Sequence, residues 1–190
     1  ELLGMSANVP TDICFSFKGL RERGGKTGPH KDGWGVAFYQ GKGVSTFKDA
    51  DPSYQSEIAR LISDYPIKST AVVAHIRQAN SGGVGLENTH PFTRTLWGRY
   101  WTYAHNGQLQ GFESLPVGQH HVVGQTDSER AFCWIMQELA KSHASVPSVP
   151  ELTLTLKELA ARIAPHGTFN FLLSNGQALW AHASTHLHYI

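Results

Sequence analysis

A chain of 190 residues is sized for one domain, and a formal net charge of +1 with its 16 Lys and Arg scattered leaves no basic block to track a phosphate backbone, so nucleic acid is excluded as a partner. With 41% hydrophobic and only 16% charged residues the chain can bury a core, which excludes a disordered protein. No apolar run approaches the roughly 20 residues that cross a bilayer, and Glu1-Leu2-Leu3-Gly4-Met5 lacks the charged start and long apolar stretch of a signal peptide. The two cysteines, Cys14 and Cys133, make no metal or redox motif; one disulfide stays open, and a reducing, cytoplasmic setting is the simpler expectation.

In chain order, Gly35-Val36-Ala37-Phe38-Tyr39 and Val44-Ser45-Thr46-Phe47 flank Gln40-Gly41-Lys42-Gly43 and predict an antiparallel hairpin. A helix follows around Pro52 to Tyr65, with Tyr54, Ile58, Leu61, Ile62 and Tyr65 at helical spacing on one apolar face. Thr70–Ala74 is a short apolar strand running into His75-Ile76-Arg77, and Tyr100–Ala104 is another, rich in aromatic and β-branched types, ending at His105-Asn106-Gly107. Thr126-Asp127-Ser128-Glu129 fits a capping box that opens a helix with Ala131, Phe132, Ile135 and Leu139 on its apolar side. Ser142 to Pro150 reads as a loop, and Leu152, Leu156, Leu159 and Ile163 mark a second amphipathic helix. Thr168–Ser174 and Gln177–Ala183 are strands about Asn175-Gly176, a pair that suits a type I′ turn. Strand-like Leu187-His188-Tyr189-Ile190 ends the sequence without a polar tail, so further chain is expected to follow.

Hairpins join many of these strands, which argues against a doubly wound parallel sheet and for a layered α+β fold of mainly antiparallel sheets in one domain, residues 1–190. Polar residues crowd the strand ends, where rigid scaffolds carry function. They fall in Arg23-Gly24-Gly25 with His30-Lys31-Asp32-Gly33-Trp34-Gly35, in His75-Ile76-Arg77-Gln78-Ala79-Asn80, in Asn88-Thr89-His90-Pro91 through His105-Asn106-Gly107, and in Thr126–Glu129. Each alone has a plain structural explanation. The glycines serve turns and close packing, Arg77 is a surface ion-pair partner, Asn106-Gly107 is a hairpin turn, and Asp127 belongs to a helix start. His182, His186 and His188 invite a metal reading, but no HExxH and no Cys/His pairing at zinc spacing accompanies them, so no metal or other cofactor is expected.

Taken together and in order, His75-Ile76-Arg77, His105-Asn106-Gly107 and Thr126-Asp127-Ser128-Glu129 resemble the motifs of class II, N-terminal-nucleophile glutamine amidotransferases. Arg23-Gly24-Gly25 with His30-x-Asp32-Gly33-Trp34-Gly35 looks most like the short stand-alone bacterial members. The resemblance spans the whole chain and implies a four-layer αββα fold with two stacked antiparallel sheets. It also implies a nucleophilic cysteine immediately before Glu1, absent from this chain; Cys14 and Cys133 are read as inert core thiols that cannot replace it.

The implied reaction is amide hydrolysis or transfer from free glutamine. The terminal α-amine takes the thiol proton, the thiolate attacks the side-chain amide, and a glutamyl thioester forms with release of ammonia before water frees glutamate. Asn106 and the Gly107 N–H would form the oxyanion hole, Arg77 would grip the substrate carboxylate bidentately, Asp127 would pair with its ammonium, and Asn80 and His90 would add contacts. Glutamine is then the expected small-molecule partner. A synthase partner or missing segment would supply the ammonia acceptor, unless glutaminase activity is the whole function. Another N-terminal-nucleophile amide hydrolase and a non-catalytic binding domain are the alternatives.

Overall fold

A computed structural model of the chain describes residues 1–80, 82–111 and 115–189. Its strands form two four-stranded antiparallel sheets. The first has the order β1-β4-β2-β3, from Leu2–Thr11 (β1), Trp34–Gln40 (β2), Gly43–Asp49 (β3) and Ser69–Ile76 (β4). The second has the order β5-β6-β7-β8, from Phe92–Leu96, Arg99–Leu109, Gly167–Ser174 and Leu179–His182. Helices α1 (Cys14–Arg23) and α2 (Glu57–Asp64) cover the first sheet, and α3 (Asp127–Ser142) and α4 (Val149–Ile163) cover the second.

Strand alternation builds three cores in four layers. On β4, Val72, Ala74 and Ile76 face the α1–α2 layer with Phe17, Leu20 and Ile62, whereas Val73 turns the other way. On β6, Trp101, Tyr103 and Leu109 pack with Phe132, Ile135 and Leu156 under α3 and α4. Val73, Ala104 and Leu172, with Leu2 and Leu179, close the thin contact between the sheets. This is the expected αββα arrangement.

Several local expectations are corrected. Helix α2 starts only at Glu57, where Ser56 caps it by accepting from Ala59 N, and most of its predicted apolar face points outward: Leu61 is 62% and Tyr65 64% exposed, and of that face only Ile62 is buried, beside Ala59 and Ser63. Thr126 caps α3 by accepting from Glu129 N, but no capping box closes, because the Glu129 carboxylate accepts from Val123 N and Gly124 N instead. A true box is found at Ser148 and Glu151, so α4 takes in Val149 and Pro150 and the loop from Ser142 is shorter than its Ser/Pro content predicts. His105-Asn106-Gly107 does not follow β6 but lies inside it, paired with Phe171, Asn170 and Phe169 of β7. The β7–β8 connection is not type I′: Asn175 lacks a positive φ, and its Oδ1 accepts from Gln177 N and Ala178 N across a wider turn. Leu187–Tyr189 is not a strand, and Ile190 lies outside the described residues. Strands β1 and β5 and helix α1 were not anticipated.

Candidate functional site

Arg77 is the first residue past β4, and its backbone is locked to the loop before β2. Arg77 N donates to Gly33 O (2.8 Å), Asp32 N donates to Arg77 O (3.1 Å), and Ala79 N donates to Asp32 Oδ2 (2.7 Å). The guanidinium is buried rather than at the surface and donates to Gly83 O at 3.0 Å and to Asp32 O at 3.4 Å. Asn88, fully buried, braces this cradle, since its Nδ2 donates to Gly83 O (3.1 Å) while its Oδ1 accepts from Gln125 N (2.8 Å). One amide side chain thereby couples the Arg77 side of the site to the segment entering α3. Gly35 lets the next stretch come close, because a Cβ there would stand 2.2 Å from His90 O.

Across the cavity, β6 and β7 pair so tightly at Gly107 that a Cβ would lie 1.9 Å from Thr168 O. Only glycine fits, and packing alone demands it. Asn106 is exposed toward the cavity, and its carbonyl accepts from Asn170 Nδ2 at 3.0 Å. Asp127 opens α3, where the helix dipole favours an anion. Its Oδ2 accepts from Leu109 N (2.6 Å) and its Oδ1 from Ser128 N (2.9 Å), which fixes the carboxylate against the end of β6. His105 ties the same elements together. Its Nε2 can only donate to Thr168 O (3.2 Å), so in the neutral ring Nδ1 accepts from the Ser128 hydroxyl (2.8 Å).

Arg77, Asn80, His90, Asn106, Gly107 and Asp127 line one cavity of about 90 Å³, although Arg77 and Asp127 are 50 residues apart in sequence. His30, His75, Gln78, His105, Thr126 and Ser128 share the lining and were not assigned roles from sequence. His30, His75 and His105 lie within the singled-out motifs; that they face the cavity depends on how loops from both sheets meet, which no spacing carries. A neighbouring cavity of about 350 Å³, lined by Gln108, Gln125 and Arg130 among others, shares Thr126 and Asp127 as a wall.

The site is electrostatically unusual. His75 and His90 are buried with ring centroids 4.4 Å apart, and burial, aided by neighbouring positive charge, holds both well below the ordinary imidazole value. His75 Nδ1 and both nitrogens of His90 are buried without a hydrogen-bond partner. His105 is also lowered by burial, against the opposing pull of Asp127. The Glu1 α-amine donates to Ile76 O (2.7 Å) and is lowered to about 6, chiefly by burial. Cys133 is buried, as expected of a core thiol, but Cys14 is only partly so; both are unpaired, and burial raises both thiols. Among the described residues no group of three or more His, Cys, Asp or Glu side chains is arranged to hold a metal ion.

An amide, a guanidinium and a carboxylate converge on one cavity of a double-sheet αββα domain, and comparison with known proteins gives the family. The family model for "Glutamine amidotransferases class-II" matches residues 1–190, and the chain belongs to that family. The chain is 61% identical over 191 residues to YafJ of Escherichia coli (strain K12), which is named only provisionally as a glutamine amidotransferase, and spans 75% of its length. It is 47% identical to a similarly named protein of Haemophilus influenzae and spans 65% of it, just under two thirds. Among solved structures, a predicted glutamine amidotransferase from Pseudomonas aeruginosa PA01 superposes with TM-score 0.75 at 44% identity, over 97% of this chain and 73% of that one. The glutamine phosphoribosylpyrophosphate amidotransferase of B. subtilis superposes with TM-score 0.65 at 18% identity, over 96% of this chain and 36% of that one, which is a likeness of fold.

Proposed function

We propose that this protein releases ammonia from free glutamine through a glutamyl thioester on a cysteine that precedes Glu1. The observation that carries this reading is the register of β1 on β4. Leu2 pairs with His75 and Leu3 with Ala74, and Glu1 exchanges backbone hydrogen bonds with Ile76. One residue further back, the same register falls opposite Arg77 at the cavity. Parity supports the same reading. Leu2 faces the second sheet, whereas Glu1 turns toward α1, where its carboxylate meets Arg23 at 2.6 Å. A residue before Glu1 shares the parity of Leu2 and would point its side chain toward the sheet that carries Asn106.

In this reading the α-amine of that cysteine, desolvated like the present chain start, takes the thiol proton near neutral pH. The thiolate attacks the amide carbon. The Asn106 amide and the Gly107 N–H stabilise the oxyanion, and the nitrogen leaves as ammonia. Arg77 holds the substrate carboxylate and Asp127 its ammonium, which distinguishes free glutamine from a peptide residue; Asn80 and His90 add contacts. The acceptor of the ammonia is supplied by sequence outside this chain or by a partner, in the reducing cytoplasm.

Steady-state ammonia release by the full-length protein tests these roles. Asn106→Ala lowers kcat by about 10²–10³ with glutamine binding retained. Arg77→Lys keeps the charge but loses the planar fork, and raises KM. Asp127→Asn also raises KM. An Asn106→Ala effect confined to KM, or a silent Arg77→Lys, would refute the assignment.

A further inference from the structure

We propose that His30 is a further acid–base residue of this site, carrying protons between bulk solvent and the reacting atoms; this rests on the glutaminase reading above. His30 sits in the loop between α1 and β2. An isolated bridge between Gly24 and Pro29 pinches that loop, and the Asp32 contacts to Arg77 and Ala79 pin its far end. The loop thus holds the ring over the cavity, whose wall it forms. The residue is only partly buried, so it meets solvent as well as the cavity it lines. Its Nδ1 lies on the covered side, toward Gly28 of its own loop.

Elimination within the cavity sharpens the case. Four histidines line it: His30, His75, His90 and His105. His75 and His90 are buried. Both nitrogens of His105 are engaged, by Ser128 and Thr168. Of the four, His30 is the one that touches both solvent and cavity. Burial is the largest influence on it; Arg23 acts with burial against the imidazolium, and the Glu1 and Asp32 carboxylates favour it. The net effect lowers the ring below its ordinary value, so His30 is a neutral base at physiological pH. The neutral His75 ring lies nearby.

The step it serves is thioester hydrolysis. Water adds to the glutamyl carbonyl carbon, forming the C–O bond, and its proton passes to the neutral His30 ring. The tetrahedral adduct collapses with cleavage of the C–S bond, and the imidazolium returns the proton to the departing thiolate. No oxidant or metal enters the balance.

Two variants of the full-length protein test this, His30→Gln and His30→Ala. The expected result is a fall in kcat of about 10²-fold or more with KM within threefold, the usual scale for a lost acid–base group. The acid limb of the kcat–pH profile is flattened in both variants, and added imidazole restores part of the rate in His30→Ala only. Thermal unfolding midpoints stay near the wild type. A kcat within twofold of wild type in His30→Gln overturns the proposal. So does a loss that imidazole fails to recover and that tracks a lowered midpoint in both variants. Wild-type protein that releases no ammonia overturns the glutaminase reading and this proposal together, whereas active wild type with active His30→Gln overturns this proposal alone.

Discussion

Helices α2 and α3 both announce themselves by apolar spacing, yet the molecule uses them in opposite ways. In α3 the predicted stripe of Ala131, Phe132, Ile135 and Leu139 is buried, and so are Ser128, Glu129, Cys133 and Trp134 on other sides. The helix is wedged between β5–β6 and α4, with polar ties at its start. In α2 most of the stripe faces out, and only Ile62 of it turns inward, beside the small residues Ala59 and Ser63. A helical period therefore identifies a face but not the side on which it is used. The difference has a functional edge, because α3 presents Asp127 to the cavity and must be held still, whereas no residue of α2 lines either cavity.

The largest expected effect follows from that anchoring. Glu129 is buried beside Arg94 and also accepts from Val123 N and Gly124 N, the latter at 2.7 Å. Glu129→Ala leaves the half-buried Arg94 guanidinium and both N–H groups without their carboxylate, and breaking a buried pair in this way costs about 3–5 kcal/mol. Denaturant unfolding measures it. A loss under about 1 kcal/mol would mean that the α3 layer is no better fixed than α2, and the comparison would collapse.

A smaller effect lies between the layers. His75 is the penultimate residue of β4 in the first sheet and His90 leads into β5 of the second, and burial keeps both neutral in the fold. In the unfolded chain they titrate near 6.5, so below that pH the unfolded state binds protons that the folded state refuses. Stability is fully present above about pH 6.5 and is lost as pH falls toward the lowered folded values. His90→Phe, which removes one such group, should flatten the acid slope by up to about 1.4 kcal/mol per pH unit. Unfolding free energies at pH 7, 6 and 5 decide this. An unchanged slope would show that His90 protonates freely and that the two sheets meet through a wetter contact.

Legibility from sequence follows the same physics. The β2–β3 hairpin, β4, β6, β7 and the apolar faces of α3 and α4 were readable because alternation and helical period act locally. Strand β1 was not, because Gly4, Ser6, Asn8 and Pro10 interrupt its apolar residues and its partner β4 lies some 70 residues away. The cavity residues were legible as a set of motifs, since Arg77, Asn106 and Asp127 each stand beside a strand or helix boundary signal or within a motif. What each side chain does was not legible. The Glu129 carboxylate serves the loop before α3 instead of the cap, His105 braces β7 to α3, and Asn88 links the Arg77 cradle to Gln125. Those roles depend on contacts between loops of different sheets, for which a single sequence has no periodic sign.

The smallest effect tests the outward face of α2 most directly. Leu61 is 62% exposed, and its neighbour Ile62 is buried at 4% against the first sheet. Leu61→Ala removes side-chain atoms that already lie largely in water, and alanine favours a helix at least as well as leucine. The unfolding free energy should therefore change by no more than about 0.5 kcal/mol, as for a surface site. Ile62→Ala, one residue on, leaves a cavity beneath the helix and is clearly destabilising. If Leu61→Ala were as destabilising as Ile62→Ala, α2 would have to be rotated about its axis from the arrangement described, so that Leu61 lay inward beside Ile62 as the sequence period suggests.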